Sequence, residues 1–474
     1  VSVKGVNIGI LRFDTGNYKP LVAMFFVLLA AVLSSGLISG VSDIGNMAMI
    51  LFSVAIIIAT FADTNIGLIA ILLSMLLSPE LEVGATPGRA VVIRAEDLLL
   101  IIVSVTWLAK MAIRKELPVM RKSPLNAPIG LYCAVLIIST VKGIITGDVS
   151  MLKGMFYVFK LIEYFVLFFI VLNHTSTVKQ VKLFLIVLLL TSFIVALYCN
   201  LHLGSAERMS APFEGEGEPN TLGGYLLFIM SLIGGLILYY RPRRKLLSGL
   251  LLFVSPAFMF TLSRASYLGV VPALFTFIKV SRKKIAVYAA ALIIGGFALM
   301  VLTGPPRLRE RVVGAFQPEE TQRVRGVGPI SLGPSPAARV ESWRYILEDK
   351  FPKRPILGYG VTGTAFLDSQ YILALAETGI IGLCLFLWIM WRIWKTALAN
   401  LKQLEKPLFK GIVVGYLAGF AGLLFHAIGS NTFIIIRIAE PFWFFTAIVV
   451  KLVDIETGKA QMEDKVPRYA RYRI

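Results

Sequence analysis

Apolar runs long enough to cross a bilayer recur about fourteen times along this 474-residue chain. They lie near 20–39, 45–61, 64–78, 96–113, 126–145, 155–172, 180–200, 221–240, 246–262, 266–280, 285–303, 371–392, 409–428 and 438–453. Backbone N–H and C=O groups in hydrocarbon must bond within the protein, so only helices and closed barrels span a membrane. Runs of this length read as helices. The fold class expected is therefore all-α, a polytopic membrane protein of about 14 transmembrane helices. Composition agrees: 57% of residues are hydrophobic and 16% charged, where soluble chains average about 25% charged.

The net charge of +19 does not point to nucleic acid, because much of it sits in short loops between apolar runs. KMAIRKELPVMRK (110–122), RPRRK (241–245), SRKK (281–284) and KTALANLKQLEK (395–406) are expected on the cytoplasmic face. Threading the runs between them puts both termini inside and 79–95, 146–154, 201–220, 304–370 and 429–437 outside. The chain then divides into a bundle of about eleven helices over 1–303, an external loop over 304–370, further helices over 371–454 and a basic tail over 455–474. The first run, from Leu21, reads as a retained span rather than a cleaved signal. Cys133, Cys199 and Cys384 fall singly inside apolar runs and read as fillers without disulfide or metal. The three histidines make a histidine-metal site unexpected. No internal repeat is visible, which weakens an inverted-repeat transporter.

The long polar segment is where chemistry is expected, since long irregular segments are rare unless functional. Between 304 and 370 it carries ten Lys or Arg and seven Asp or Glu. That positive balance suits an anionic, phosphate-bearing substrate. Within it, 339–350 is expected as an amphipathic helix with Trp343, Ile346 and Leu347 on one face. Such a helix lies at the membrane surface or roofs a cavity. KRPILGYG (353–360) is its breaker-rich stop.

Ionisable groups within or beside spans are costly and therefore candidates. Arg264, in FTLSRASYLG, stands in a polar break made with Ser263 and Ser266, where its guanidinium can grip a phosphate or snorkel to headgroups. Lys160 and Glu163 share a helical face and can neutralise one another or meet substrate. Glu96 and Asp97 can serve a helix N-terminus, and Arg94 can face the same cavity as Arg264. In the breaker-rich 201–220 segment, Glu214 and Glu216 read as a solvated turn. Asn220 is either an N-cap or, with Glu218, a hydroxyl contact. Asp368 precedes a span and is either its cap or a base for a sugar hydroxyl. Tyr371 and Glu377 are further possible glycan contacts.

Five segments in order resemble the O-antigen ligase and O-antigen polymerase superfamily. They are RAEDLLLIIVSVTWL (94–108), EPNTLGGYLLF (218–228), FTLSRASYLGV (260–270), RVESWRYILEDKFPKRPILGYGVTG (339–363) and DSQYILALAETGIIGL (368–383). No single segment is specific; the ordered set, with the long loop between the Ser-Arg and Ala-Glu-Thr-Gly pieces, carries the likeness over roughly residues 90–395.

The resemblance implies a glycosyltransferase-C-like fold and transfer of a glycan from an undecaprenyl-diphosphate carrier to an acceptor outside the bacterial inner membrane. Ligases use lipid A-core as acceptor; polymerases use a second lipid-linked repeat unit. It implies no cofactor, no metal and inversion at the anomeric carbon. It implies that Arg264, with Arg339 or Arg344, holds the diphosphate. Ligases carry a His-Asn pair where this chain has Asp368-Ser369, which tilts the expectation toward a polysaccharide polymerase. A chain-length regulator is a conceivable partner. A flippase for lipid-linked oligosaccharides is the competing class.

Overall fold

The computed structural model describes residues 59–60, 63–78, 80–86, 89–113, 121–203, 208–212, 218–288, 290–291, 295–296, 334–365 and 367–459. The span expected at 20–39, all but the end of that at 45–61, more than half of 285–303, the loop stretch 304–333 and most of the basic tail lie outside the described residues.

The described chain is helical apart from one hairpin. α1 is Thr64–Leu77, followed by antiparallel β1 (Glu80–Thr86) and β2 (Arg89–Arg94), then α2 (Ala95–Ile113). α3 is Asn126–Ile145, α4 Met151–His174, α5 Val178–Leu201, α6 Pro219–Tyr239, α7 Arg244–Phe260 and α8 Arg264–Ser281. α9 is Pro334–Tyr345, α10 Gln370–Gln403, α11 Pro407–His426 and α12 Ile436–Glu456. The hairpin occupies part of what reads as an external loop, 79–95. Among the described residues six helices (α3, α4, α5, α6, α10 and α11) are long and apolar enough to cross a membrane.

Burial within the protein separates centre from edge. α11 hides 83% of its most apolar window and α6 78%, whereas α3 hides 39%. The exposed remainder of α3 is Leu131, Ile137, Ile138, Val141 and Ile145. An apolar face of that extent is a liability in water and ordinary in lipid. α6 and α11 approach so closely that a Cβ on Gly415 would stand 2.7 Å from the Leu232 Cα. Small residues permit such backbone contact between membrane helices. α12 adds an aromatic layer, with Tyr416 stacked on Phe442 and its hydroxyl 2.6 Å from Thr446 Oγ1.

Hydrogen bonds sort the connections into two opposite ends of the bundle. At one end Met209 N donates to Phe260 O, Gln370 N to Ala427 O, Tyr164 Oη to Ile434 O and Arg437 Nη2 to Ser78 O. At the other, Arg121 N donates to Asn173 Oδ1, Arg244 Nε to Ile237 O and Lys406 N to Glu456 Oε1. The first is called the site end below and the second the basic end.

Two elements depart from expectation. The helix expected over 339–350 begins at Pro334 and ends at Tyr345; Ile346–Lys350 is a π turn and Phe351–Lys353 a 3-10 turn. Of its expected face, Ile346 is buried against Leu367, Leu373 and Ala376. Leu347 is 43% exposed, because the π turn rotates it away from the α10 contact. α10 runs to Gln403 rather than stopping near 392. Its extension over 393–403 is rich in the helix formers Ala, Leu, Lys and Gln and buries Ile393, Ala397 and Asn400 on one face.

α10 is also broken. Gly379 takes φ 66° and ψ −167° between Thr378 and Ile380. The freed backbone groups are met by the GYG loop. Tyr359 N donates to Ala376 O (3.0 Å), Gly360 N to Glu377 O (2.8 Å) and Ile380 N to Pro355 O (2.8 Å). Gly358 and Gly360, both at positive φ, let this loop enter. From α3, Ser139 Oγ lies against both Leu357 O and Glu377 O, and Thr140 Oγ1 accepts from Val361 N. Irregular backbone beside membrane helices is tolerated where protein supplies every partner.

Candidate functional site

The site end gathers the first turns of α6 and α8. Glu218 is the N-cap position of α6, Pro219 its first residue, and Asn220 lies just inside. Ser263 caps α8, accepting from Ser266 N, and Arg264 opens that helix. Ser266 Oγ donates to Ser263 Oγ (2.8 Å), and Ser263 Oγ donates to Asn220 Oδ1 (2.8 Å). Both serines are fully buried. Leu262, immediately before them, sits at φ 49°. A bulky residue there costs about 1–3 kcal/mol and persists only where surroundings enforce it. The strained turn sets where α8 begins, and so where Arg264 emerges.

Arg208, from the 201–220 segment, locks this turn. Its Nε donates to Thr261 O (3.2 Å), and Nη2 lies 3.4 Å from Leu262 O and 3.5 Å from Asn220 Oδ1. Two arginines, 208 and 264, thus flank the Asn220–Ser263 pair. Gly429 approaches Ala265, bringing the 427–435 turn beside Arg264.

His426 closes the group from α11. It is fully buried, its Nδ1 is 2.7 Å from Thr432 Oγ1, and its ring lies on Gly224, where a Cβ would be 3.0 Å from Cε1. Arg339 is within electrostatic reach of that ring. Arg339 Nε and Nη2 both donate to Asp368 Oδ2, at 3.1 and 3.0 Å. Asp368 is held by its neighbours on the chain: Leu367 O accepts from Asn431 Nδ2, and Gln370 Oε1 accepts from Phe433 N.

The structure therefore brings Asn220, Arg264, Arg339 and Asp368 to one end of the bundle. Asn220 is not a cap; its side chain joins α6 to α8. Glu218 accepts from Thr221 Oγ1 at 2.6 Å. Arg344 bonds Glu348 one turn along at 2.8 Å, on the exposed side of its segment. Tyr371 Oη donates to Leu424 O, tying α10 to α11. Glu377 is buried at the α10 break, where its Oε1 accepts from Thr362 N at 2.9 Å. These last two are placed as structural ties. Arg94 ends β2, its Cα paired with that of Glu80. Glu214 and Glu216 lie outside the described residues.

Lys160, expected to share a helical face with Glu163, makes a contact between helices: its Nζ is 2.9 Å from Asp97 Oδ2, both nearly buried. Asp97, expected only to serve a helix start, is the partner because α2 packs against α4. Arg208 and His426 were not anticipated, nor were the buried Arg437, Glu440 and Lys451 of α12. The available signal was the ionisable residue inside an apolar run. Lys451 Nζ donates to Leu172 O at 2.9 Å, near the C-terminal end of α4. Among the described residues no group of three or more His, Cys, Asp or Glu is arranged to hold a metal ion.

Comparison with protein-family models finds no match, and comparison with curated proteins finds none either, so the functional reading rests on this geometry and on the resemblance of the five segments.

Proposed function

We propose that the chain is a glycosyltransferase of the bacterial inner membrane. It moves a glycan from an undecaprenyl-diphosphate carrier to a sugar hydroxyl of an acceptor, and the site end faces the periplasm. One observation carries the reading: arginines 208, 264 and 339, distant in sequence, converge at one end, with the carboxylate of Asp368 bonded to Arg339. The segments that bear the family resemblance at 218–228, 260–270, 339–363 and 368–383 all contribute to that end.

In this reading the carrier lies with its isoprenoid in lipid and its diphosphate at the arginines. The acceptor oxygen attacks the anomeric carbon while the bond from that carbon to the diphosphate oxygen breaks. The electron pair leaves with the diphosphate, whose growing charge the guanidinium groups stabilise. The hydroxyl proton passes to Asp368. Arg339 orients that carboxylate by bonding Oδ2 twice. A multi-span protein of about fourteen helices with a glycosyltransferase-C-like arrangement belongs to the same proposal.

The test supplies purified protein in nanodiscs with an undecaprenyl-diphosphate-linked repeat unit alone. A ladder of lengthened glycan with released undecaprenyl diphosphate is the expected result, and Arg264→Ala should abolish it while the protein still inserts. Product from Arg264→Ala at the normal level would remove Arg264 from the mechanism. Transfer only after lipid A-core is added would make the protein a ligase. Carrier moved across the bilayer without glycan transfer would make it a flippase.

A further inference from the structure

At the basic end, four cations from three separate parts of the chain meet around the last turn of α6. Arg244 Nε donates to Ile237 O (3.0 Å), and Lys283 Nζ donates to Leu238 O (2.7 Å). Successive carbonyls at a helix C-terminus thus hold two side chains that arrive from α7 and from the turn after α8. Lys283 also lies 3.5 Å from the centre of the Tyr239 ring. Arg241, in the 3-10 turn between α6 and α7, and Lys410, in the first turn of α11 beside the close Gly411–Gly235 approach, add their charges at Lys283.

None of the four forms an ion pair with a carboxylate among the described residues. Burial first, then repulsion from Arg244, Arg241 and Lys410, pulls the Lys283 ammonium below its usual range. Like charges held this way are mutually unfavourable until an anion enters between them. The turn geometry fixes the arrangement: Arg282, immediately before Lys283, caps α8 at φ 52°. Arg244, Lys283 and Lys410 are half-buried, whereas Arg243 and Lys284 beside them are exposed, as is Arg241 at the rim of the group.

The surroundings say what kind of anion fits. The cations sit where α6 and α8 end and α7 and α11 begin, and exposed apolar side chains follow them within a few residues of chain. These are Leu246 (57% exposed), Ile285 (54%) and Tyr288 (72%). A soluble phosphate has no use for that border, whereas a phospholipid places its phosphate on the cations and its acyl chains on Leu246, Ile285 and Tyr288. We propose that Arg241, Arg244, Lys283 and Lys410 form a binding site for the headgroup of an acidic phospholipid, at the opposite end of the bundle from the Arg339–Asp368 site. The assignment is independent of the glycosyltransferase reading, since it uses other residues and another end.

The experiment is native mass spectrometry of the full chain released from detergent, with phosphatidylglycerol or phosphatidylcholine added. Phosphatidylglycerol should remain bound and phosphatidylcholine should not. Arg244→Gln with Lys283→Gln should lower retention, by about five-fold per charge removed. Arg243→Gln with Lys284→Gln, an equal loss of charge at exposed neighbours, should leave it within about two-fold of the unaltered chain. Lys410→Gln provides a second reading, because the Lys410 side chain makes no bond to α6; it should also lower retention. Equal retention by the two double variants, or no effect of Lys410→Gln, would overturn the site. Displacement of phosphatidylglycerol by an equal concentration of inorganic phosphate would overturn its assignment to lipid.

Discussion

Arg339 and Asp368 are joined by two bonds that fall on a single oxygen: Nε and Nη2 of the guanidinium both donate to Oδ2. The carboxylate is thereby turned by Arg339, leaving Oδ1 outside that fork. Asp368→Asn keeps shape and a bond acceptor while removing the proposed base. It should reduce transfer by about 10²-fold or more, the usual range for a general base, with carrier binding little changed. Arg339→Lys keeps charge but loses the fork, so carrier binding weakens and transfer falls together. Turnover by Asp368→Asn at the original rate would exclude Asp368 as the proton acceptor.

The break in α10 gives a stability prediction. A side chain at Gly379 meets both a positive φ and the Ile356 carbonyl. Gly147 also has positive φ, at 77°, but nothing within 4 Å. Gly379→Ala should therefore cost about 1–3 kcal/mol for overpacking in addition to the backbone strain, and Gly147→Ala only the strain, about 1 kcal/mol. Thermal unfolding in one detergent compares them. Equal midpoints would show that the docked GYG loop yields freely.

The Lys160–Asp97 pair is nearly dry, at 14% and 8% side-chain exposure. Removing one partner leaves a buried charge, so Lys160→Met should destabilise by about 3–5 kcal/mol. Lys160→Met with Asp97→Leu should recover most of that loss. If the double variant were as unstable as the single one, the pair would not be the principal partner relationship of either residue.

Asp148, between α3 and α4, carries a pH signature. Burial works against its charge, but the Thr146 hydroxyl and the Arg354 guanidinium outweigh it and hold the carboxyl below the ordinary carboxylate range. A carboxylate whose pKa is lower folded than unfolded contributes stability that is fully present above the unfolded value, about 3.9. That contribution disappears as pH falls through the folded value. Unfolding midpoints of the parent and of Asp148→Asn should differ by a constant amount from pH 8 to pH 5 and converge below pH 4. A gap that persisted at the lowest pH would place the effect elsewhere.

Much of the helical framework was legible because bilayer crossing leaves so few choices. Both ends of α3, α6 and α8 fall within a few residues of their apolar runs. Arg264 was legible for the same reason, as a charge between two such runs. What escaped has a common cause. The docking of Gly358–Gly360 into the Gly379 break pairs two stretches that each look like an ordinary loop or helix, and no local pattern announces a partner. Arg208 hides among breakers, and its role depends on where Thr261 and Leu262 turn. Asp97 as the partner of Lys160 depends on which helices pack together, while i, i+3 spacing singles out only the neighbour on the same helix.

Ser139 reaches carbonyls 218 and 238 residues further along the chain. At about 5–20 residues per second, the ribosome needs about 10–45 s to make the first of those partners. Throughout that interval α3 is already in existence with its socket of Ser139, Thr140 and Gly143 unfilled. The early half of the bundle is thus completed only by the late third, and a nascent chain halted before Gly379 carries an open seam that its own missing segment was meant to shut.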